Sequence, residues 1–157
     1  METAPRRDTT SSGGNDADLH YLEEARAALR LLIPLSDAAS DRAASREVRA
    51  LARDALGVQT RQLEAISACL LTWDRPEVAG PQSVVAASLP RLHGAALDRA
   101  YVGQLANHAH TSMTAARAEM VAGVSGGVRA IAEGALRSQS RQLAALDLLP
   151  PVSPRQQ

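Results

Sequence analysis

Apolar residues recur along the chain at steps of three and four, as in Tyr21, Leu22, Ala25, Leu29, Leu32 and Ile33, with Arg, Glu and Gln between them. That spacing puts the apolar set on one face of a helix. The filling residues are Ala, Leu, Arg, Gln and Glu, which are strong helix formers and weak strand formers, so the chain reads as all-α. The pattern predicts four helices. The first starts near Asp16 or Asp18, either of which can cap it, and Pro34 is expected to kink or end it. Ser45 caps a second, from Arg46 to about Thr72, before the Trp73, Pro76 and Gly80-Pro81 breaks. A linker, 73–97, with one short helix over 82–87, leads to the third helix. This starts within 95–98 and runs to about Val121, where Gly123, Gly126 and Gly127 stop it. The fourth runs from Gly126 or Gly127 to Leu149, ended by Pro150-Pro151. The flanks, 1–15 and 150–157, are rich in Pro, Ser, Thr, Gly and Arg and are expected to be disordered tails.

The chain also repeats itself. Residues 45–69 match residues 125–149 at 12 of 25 positions without a gap, an offset of 80. Shared Val-Arg-Ala, Ala-Leu and Arg-Gln-Leu stretches carry the match, and the same offset pairs Asp18 with Asp98, Tyr21 with Tyr101 and Gln59 with Gln139. Two helical hairpins follow, units 18–72 and 98–149. A lone hairpin leaves its apolar stripe in water, so the two are expected to dock into one ferritin-like four-helix bundle over 16–149.

Composition narrows the function. Seventeen Arg balance seventeen acidic residues, Lys and Phe are absent, and Trp73, Tyr21 and Tyr101 are the only aromatic residues. A basic stripe and stacking rings are both missing, which argues against nucleic acid as a partner. No apolar run approaches the ~20 residues of a membrane span, and the N-terminus lacks the apolar stretch of a signal peptide. A cytoplasmic chain is the expectation on that ground, with a protein partner or a homo-oligomer left open. Cys69 stands alone, which excludes an intrachain disulfide and favours a buried thiol over a nucleophile. No Glu-x-x-His occurs, as a di-iron bundle requires, and the glycine clusters match neither a phosphate loop nor a dinucleotide fingerprint. The sequence therefore shows no enzyme and implies no cofactor.

The stretches VRALARDALGVQTRQLEAI, LPRLHGAALDRAYVGQLANHAH and VRAIAEGALRSQSRQLAAL, with Trp73 and Pro76 between the first two, resemble the two-unit actinobacterial members of the domain-of-unknown-function 305 family. The resemblance implies a helical bundle, usually at the cell envelope, and in some members copper bound by a His-His pair with methionines on the first helix of a unit. Carried over position by position, the second-unit histidine pair falls on His108 and Ala109, the following Met-Ala on Ala115 and Ala116, and the first-unit pair on Ala28 and Leu29. The family's glutamate and methionine on the second helix of each unit fall on Gln62 and Ile66, and on Gln142 and Leu146. The metal motif is degenerate: one histidine of four survives.

His108 shares a helix face with Leu105, Ser112 and Ala115 and should point inward, as a neutral histidine hydrogen-bonded to Gln139 or Gln59. His110 lies about 200° around the same helix, so the two cannot share a metal. His110 and Met113 are three apart and could offer nitrogen and sulfur to Cu(I), with Met120 two turns on, although a solvated face is the simpler expectation. Gln59 and Gln139 are expected to face each other across the bundle as structural amides, and Trp73 to plug its end. The reading that results is a non-enzymatic bundle with a binding or interaction role and its metal site largely lost. The alternative is a residual copper or other metal-binding protein centred on His108, His110 and Met113.

Overall fold

Ser45 and Ser125 cap helices at equivalent positions of the repeat: each hydroxyl accepts the backbone N–H three residues on, Val48 and Val128, at 3.3 Å. They open two of the four helices in the computed structural model, which describes residues 13–75 and 91–151. These are α1 (Asp16–Arg42), α2 (Arg46–Thr72), α3 (Gly94–Ala122) and α4 (Gly126–Asp147), and no strand occurs among the described residues. The short helix expected over 82–87 and most of both tails lie outside the described residues.

Two expectations for α1 need correction. Its N-cap is Asn15 rather than Asp16 or Asp18, and Asp18 is the return partner in a capping box. Asn15 Oδ1 accepts the Asp18 N–H at 3.0 Å, and Asp18 Oδ2 accepts the Asn15 N–H at 2.8 Å. Nor does Pro34 end the helix, which continues to Arg42. An interior proline costs ~3 kcal/mol. Here the proline itself is exposed, while Leu35, Ser36 and Ala39 just beyond it are buried. Burying one leucine is worth ~1.5–3 kcal/mol. Ser36 Oγ also shares a 2.8 Å hydrogen bond with the Tyr101 hydroxyl on α3, so tertiary contact outweighs the local rule.

Helix α1 packs on α2 and α3, and α4 packs on α3 and α2, leaving α1 and α4 diagonal to each other. The core forms two clusters. One holds Leu32, Leu35, Val48, Ala52, Tyr101 and Leu105, around the α1–α2 turn. The other holds Tyr21, Leu22, Ile66, Leu70, Val128 and Ala132, around the α3–α4 turn. Val48 and Ala52 in the first correspond to Val128 and Ala132 in the second, so equivalent positions of the repeat are buried at the two ends of the bundle. Trp73, half-buried, packs on the second cluster and lies over Gly14, where a Cβ would meet its ring at 2.5 Å.

Two aspartates join the units. Asp98 on α3 accepts the N–H groups of Ala44 and Ser45, both at 2.8 Å, at the turn that opens α2. Its counterpart Asp18 on α1 accepts those of Val124 and Ser125, both at 3.1 Å, at the turn that opens α4. Each unit thus ties down the turn of the other.

Candidate functional site

Between the two apolar clusters the helices place polar side chains on their inner faces: Gln59 and Gln62 on α2, His108 on α3, and Gln139 and Gln142 on α4. Gln59 and Gln139 are each only 3% exposed. Both amides are inside, but the hydrogen bonds expected of them are not made. Gln59 Oε1 and Nε2, Gln62 Nε2, Gln139 Oε1 and His108 Nε2 are buried without a partner among the described residues. A stranded buried polar atom costs about 1–3 kcal/mol, so this middle layer is held by the apolar clusters at either end. Gln59, Gln62, Gln139 and Gln142 border a cleft of about 290 Å³ between α2 and α4.

A second space, of about 120 Å³, lies beside His108, and all four helices contribute to its wall. Tyr21, Ala25, Ala28 and Leu29 come from α1, Gln62 and Ile66 from α2, His108, Ser112 and Ala115 from α3, and Ile131 and Ala135 from α4. Glu24 and Thr111 also line it and are exposed, placing its mouth at the seam between α1 and α3. The motif positions scattered along the sequence therefore meet in space: Ala28 and Leu29 from the first unit, His108 and Ala115 from the second. Three of these four carry no ligand atom.

Burial holds the His108 imidazole below its usual pKa, so it is neutral at pH 7. His110 is exposed, and its carbonyl accepts the Thr114 hydroxyl at 3.1 Å. Met113 is half-buried and belongs neither to the cavity wall nor to the core clusters, whereas Met120 packs on the second cluster. The structure thus does not bring His108, His110 and Met113 together. No group of three or more His, Cys, Asp or Glu able to hold a metal occurs among the described residues. One neutral imidazole with a neighbouring amide is not a copper donor set, which calls for several convergent nitrogen or sulfur ligands. Cys69 is half-buried rather than fully buried, and burial, then the Asp18 charge, raises its thiol pKa.

One feature of this end of the bundle escaped the sequence reading. Glu119 on α3 is 2% exposed and lies against the Asp18 carboxylate. Burial, then the hydrogen bond to Asp18 and repulsion from its charge, push Glu119 up to about 8, against a smaller opposing pull from Arg129. Burial also acts to raise Asp18, but the hydrogen bonds from Glu119 and from the Asn15, Val124 and Ser125 N–H groups outweigh it and hold Asp18 low. At neutral pH Glu119 is mostly protonated beside ionised Asp18, which spares two buried, closely placed carboxyls a shared negative charge. The nearby Tyr21 hydroxyl is pushed up to about 12 by burial and then by the Glu119 charge. The signal was present in the repeat: Ala39 and Ala43 of the first unit become Glu119 and Gly123 in the second. A Cβ at Gly123 would overlap the Glu119 carboxyl, so the glutamate requires the glycine.

A family profile described as domain of unknown function, DUF305, matches residues 18–149. A crystal structure of a DUF305 protein from Streptomyces coelicolor has the same fold, with a TM-score of 0.73 at 22% identity, covering 85% of this chain and 90% of that one. No curated protein matches the chain. No described helix is long and apolar enough to cross a membrane.

Proposed function

The chain belongs to the DUF305 family, and we propose that within it this protein is a non-enzymatic binding protein whose cavity stands where the resemblance would put a metal site. One observation carries this reading: Ala28, Leu29, His108 and Ala115 converge on a single cavity, and only His108 offers a ligand atom. Loss of the other ligands to alanine and leucine leaves space lined mainly by apolar groups. That suits a small organic ligand better than an ion. Catalysis is not part of the proposal. The wall holds one neutral imidazole, and its one carboxylate, Glu24, is exposed at the mouth, so the wall offers no acid and base paired within hydrogen-bond reach of each other.

The test is a titration of the full chain with Cu(I) under a competing chelator, and with Cu(II) and Zn(II) by calorimetry, alongside His108→Ala and His110→Ala. Weak binding insensitive to both substitutions supports the proposal. Sub-micromolar, one-to-one binding abolished by either substitution overturns it in favour of a metal-binding protein.

A further inference from the structure

The repeat seats an indole at one end of the bundle and leaves the matching place at the other end open. Trp73 follows the last turn of α2 and packs against the cluster that holds Leu22, Ile66, Leu70 and Val128. At the offset of 80 those four positions fall on Val102, Leu146, Pro150 and Val48. All four of these line one cleft of about 390 Å³, together with Asp98 and Leu149, and its size is that of a small-molecule site, ~300–1,000 Å³. The register is the same at both ends, because Asp98 accepts the Ala44 and Ser45 N–H groups here as Asp18 accepts those of Val124 and Ser125 there. Position 73 has Ser153 as its counterpart. Prolines account for the opening: α2 runs on to Thr72, whereas α4 ends at Asp147, the counterpart of Ser67, since Pro150 has no N–H to continue the ladder and a residue before proline is pushed out of helical conformation. Leu22 and Leu70 are fully buried, while Val102 is half-buried and Pro150 exposed. A Cβ on Gly14 would meet the Trp73 ring, but one on its counterpart Gly94 would meet no described atom within 4 Å.

The wall also selects an occupant. Its apolar positions match, one by one, those that already hold an indole, and Pro150 and Pro151 add ring faces of the kind that aromatic groups pack on. Asp98 is the one charged residue on the wall among the described residues, so an anion would enter beside a carboxylate without compensation. An aromatic occupant has to come from outside the chain, because Trp73, Tyr21 and Tyr101 are its only aromatic residues and all three are packed in the clusters. The cleft shares no wall residue with the His108 cavity.

We propose that the cleft between the start of α3 and the end of α4 binds a free, neutral, flat aromatic molecule of indole size, in the place that corresponds to Trp73.

The full chain is titrated with indole, indole-3-acetate, cyclohexanol and N-acetyltryptophanamide, the last standing for a tryptophan on a partner protein, and read by calorimetry and by backbone amide shifts. Indole is expected to bind one-to-one and to move the signals of Ala95, Asp98, Val102 and Leu149, with indole-3-acetate about tenfold weaker. Ala95→Leu and Val102→Phe, two independent fillings of the cleft, should each abolish that binding, with thermal melts showing that the variants fold. Trp73→Ala clears the matching place at the other end and should raise the stoichiometry to two. No indole binding, shifts confined to the His108 cavity, binding undiminished in a filled variant that folds, or a folded Trp73→Ala chain that gains no second site would each overturn the assignment. Indole-3-acetate or cyclohexanol binding as tightly as indole would overturn the ligand class, and tighter binding of N-acetyltryptophanamide would overturn the free molecule in favour of a protein partner. If neither filled variant folds, the map of shifted signals decides.

Discussion

Asp18 and Asp98 occupy equivalent positions 80 residues apart, and each accepts backbone N–H groups from the turn of the opposite hairpin. The exchange explains how two similar hairpins fix their register: neither turn is complete until the other unit has docked. Hydrogen bonds to a buried carboxylate are worth about 1.5–3 kcal/mol where an ordinary one gives about 1. Replacing Asp98 by Ala should therefore cost about 2–3 kcal/mol in a urea melt, with Asp98→Asn intermediate because it keeps one acceptor. A loss below about 0.5 kcal/mol would show that the turns hold themselves.

The Glu119 and Gly123 pair makes a second prediction. Gly123 has φ −75°, open to any residue, so what it supplies is space rather than backbone freedom. Gly123→Ala alone should cost about 1–3 kcal/mol through overlap with the Glu119 carboxyl. The double substitution Glu119→Ala with Gly123→Ala recreates the Ala39 and Ala43 arrangement of the first unit and should recover most of that loss. Simple additivity of the two single effects would show that the residues do not depend on each other.

The same glutamate sets a dependence on pH. Its folded pKa of about 8 lies above its ordinary value of 4.5, so its contribution to stability is full below 4.5 and is lost as pH rises through about 8. Asp18, held low, contributes above its ordinary value of 3.8 and is lost as pH falls. Stability should thus decline from the weakly acidic range toward about 8. Glu119→Gln keeps a donor for Asp18 but does not titrate, and should flatten that decline. An unchanged slope in chemical melts across the range would place the proton elsewhere.

For the middle layer the expected change is a gain. Gln59 buries both ends of its amide without a partner among the described residues, so Gln59→Leu, of similar volume, should leave stability unchanged or raise it by about 1 kcal/mol. Destabilisation by more than about 1 kcal/mol would mean that the amide is hydrogen-bonded in solution.

How far the sequence could be read follows from which interactions are local. The helices and the Ser45 and Ser125 caps depend on spacing and neighbours a few residues away, and they were legible. So was the inward face of His108. Pro34 does not end α1 because a local rule met burial of Leu35 and Ala39, which depends on helices far along the chain. The offset pairing Asp18 with Asp98 marked them as equivalent, yet equivalence does not say that each reaches across to the other unit's turn. The Gln59 and Gln139 partnership failed for a related reason: periodicity assigns a side chain to the interior but not a hydrogen-bond partner within it. Glu119 was the largest omission, although its replacement of Ala39 together with Gly123 for Ala43 was visible in the repeat.

Motif positions of both units, Ala28, Leu29, His108 and Ala115, meet in one cavity where a single imidazole is left. Restoring ligands tests it most directly: Ala28→His combined with Ala115→Met adds a nitrogen and a sulfur to the wall that already holds His108. Copper(I) affinity is measured under a competing chelator for the parent chain, for this variant, and for the variant carrying His108→Ala as well, with melts confirming that each folds. The parent is expected to show no tight site, the variant a one-to-one site, and removal of His108 the loss of that site. Tight binding by the parent, or a folded variant that gains none, would contradict that convergence.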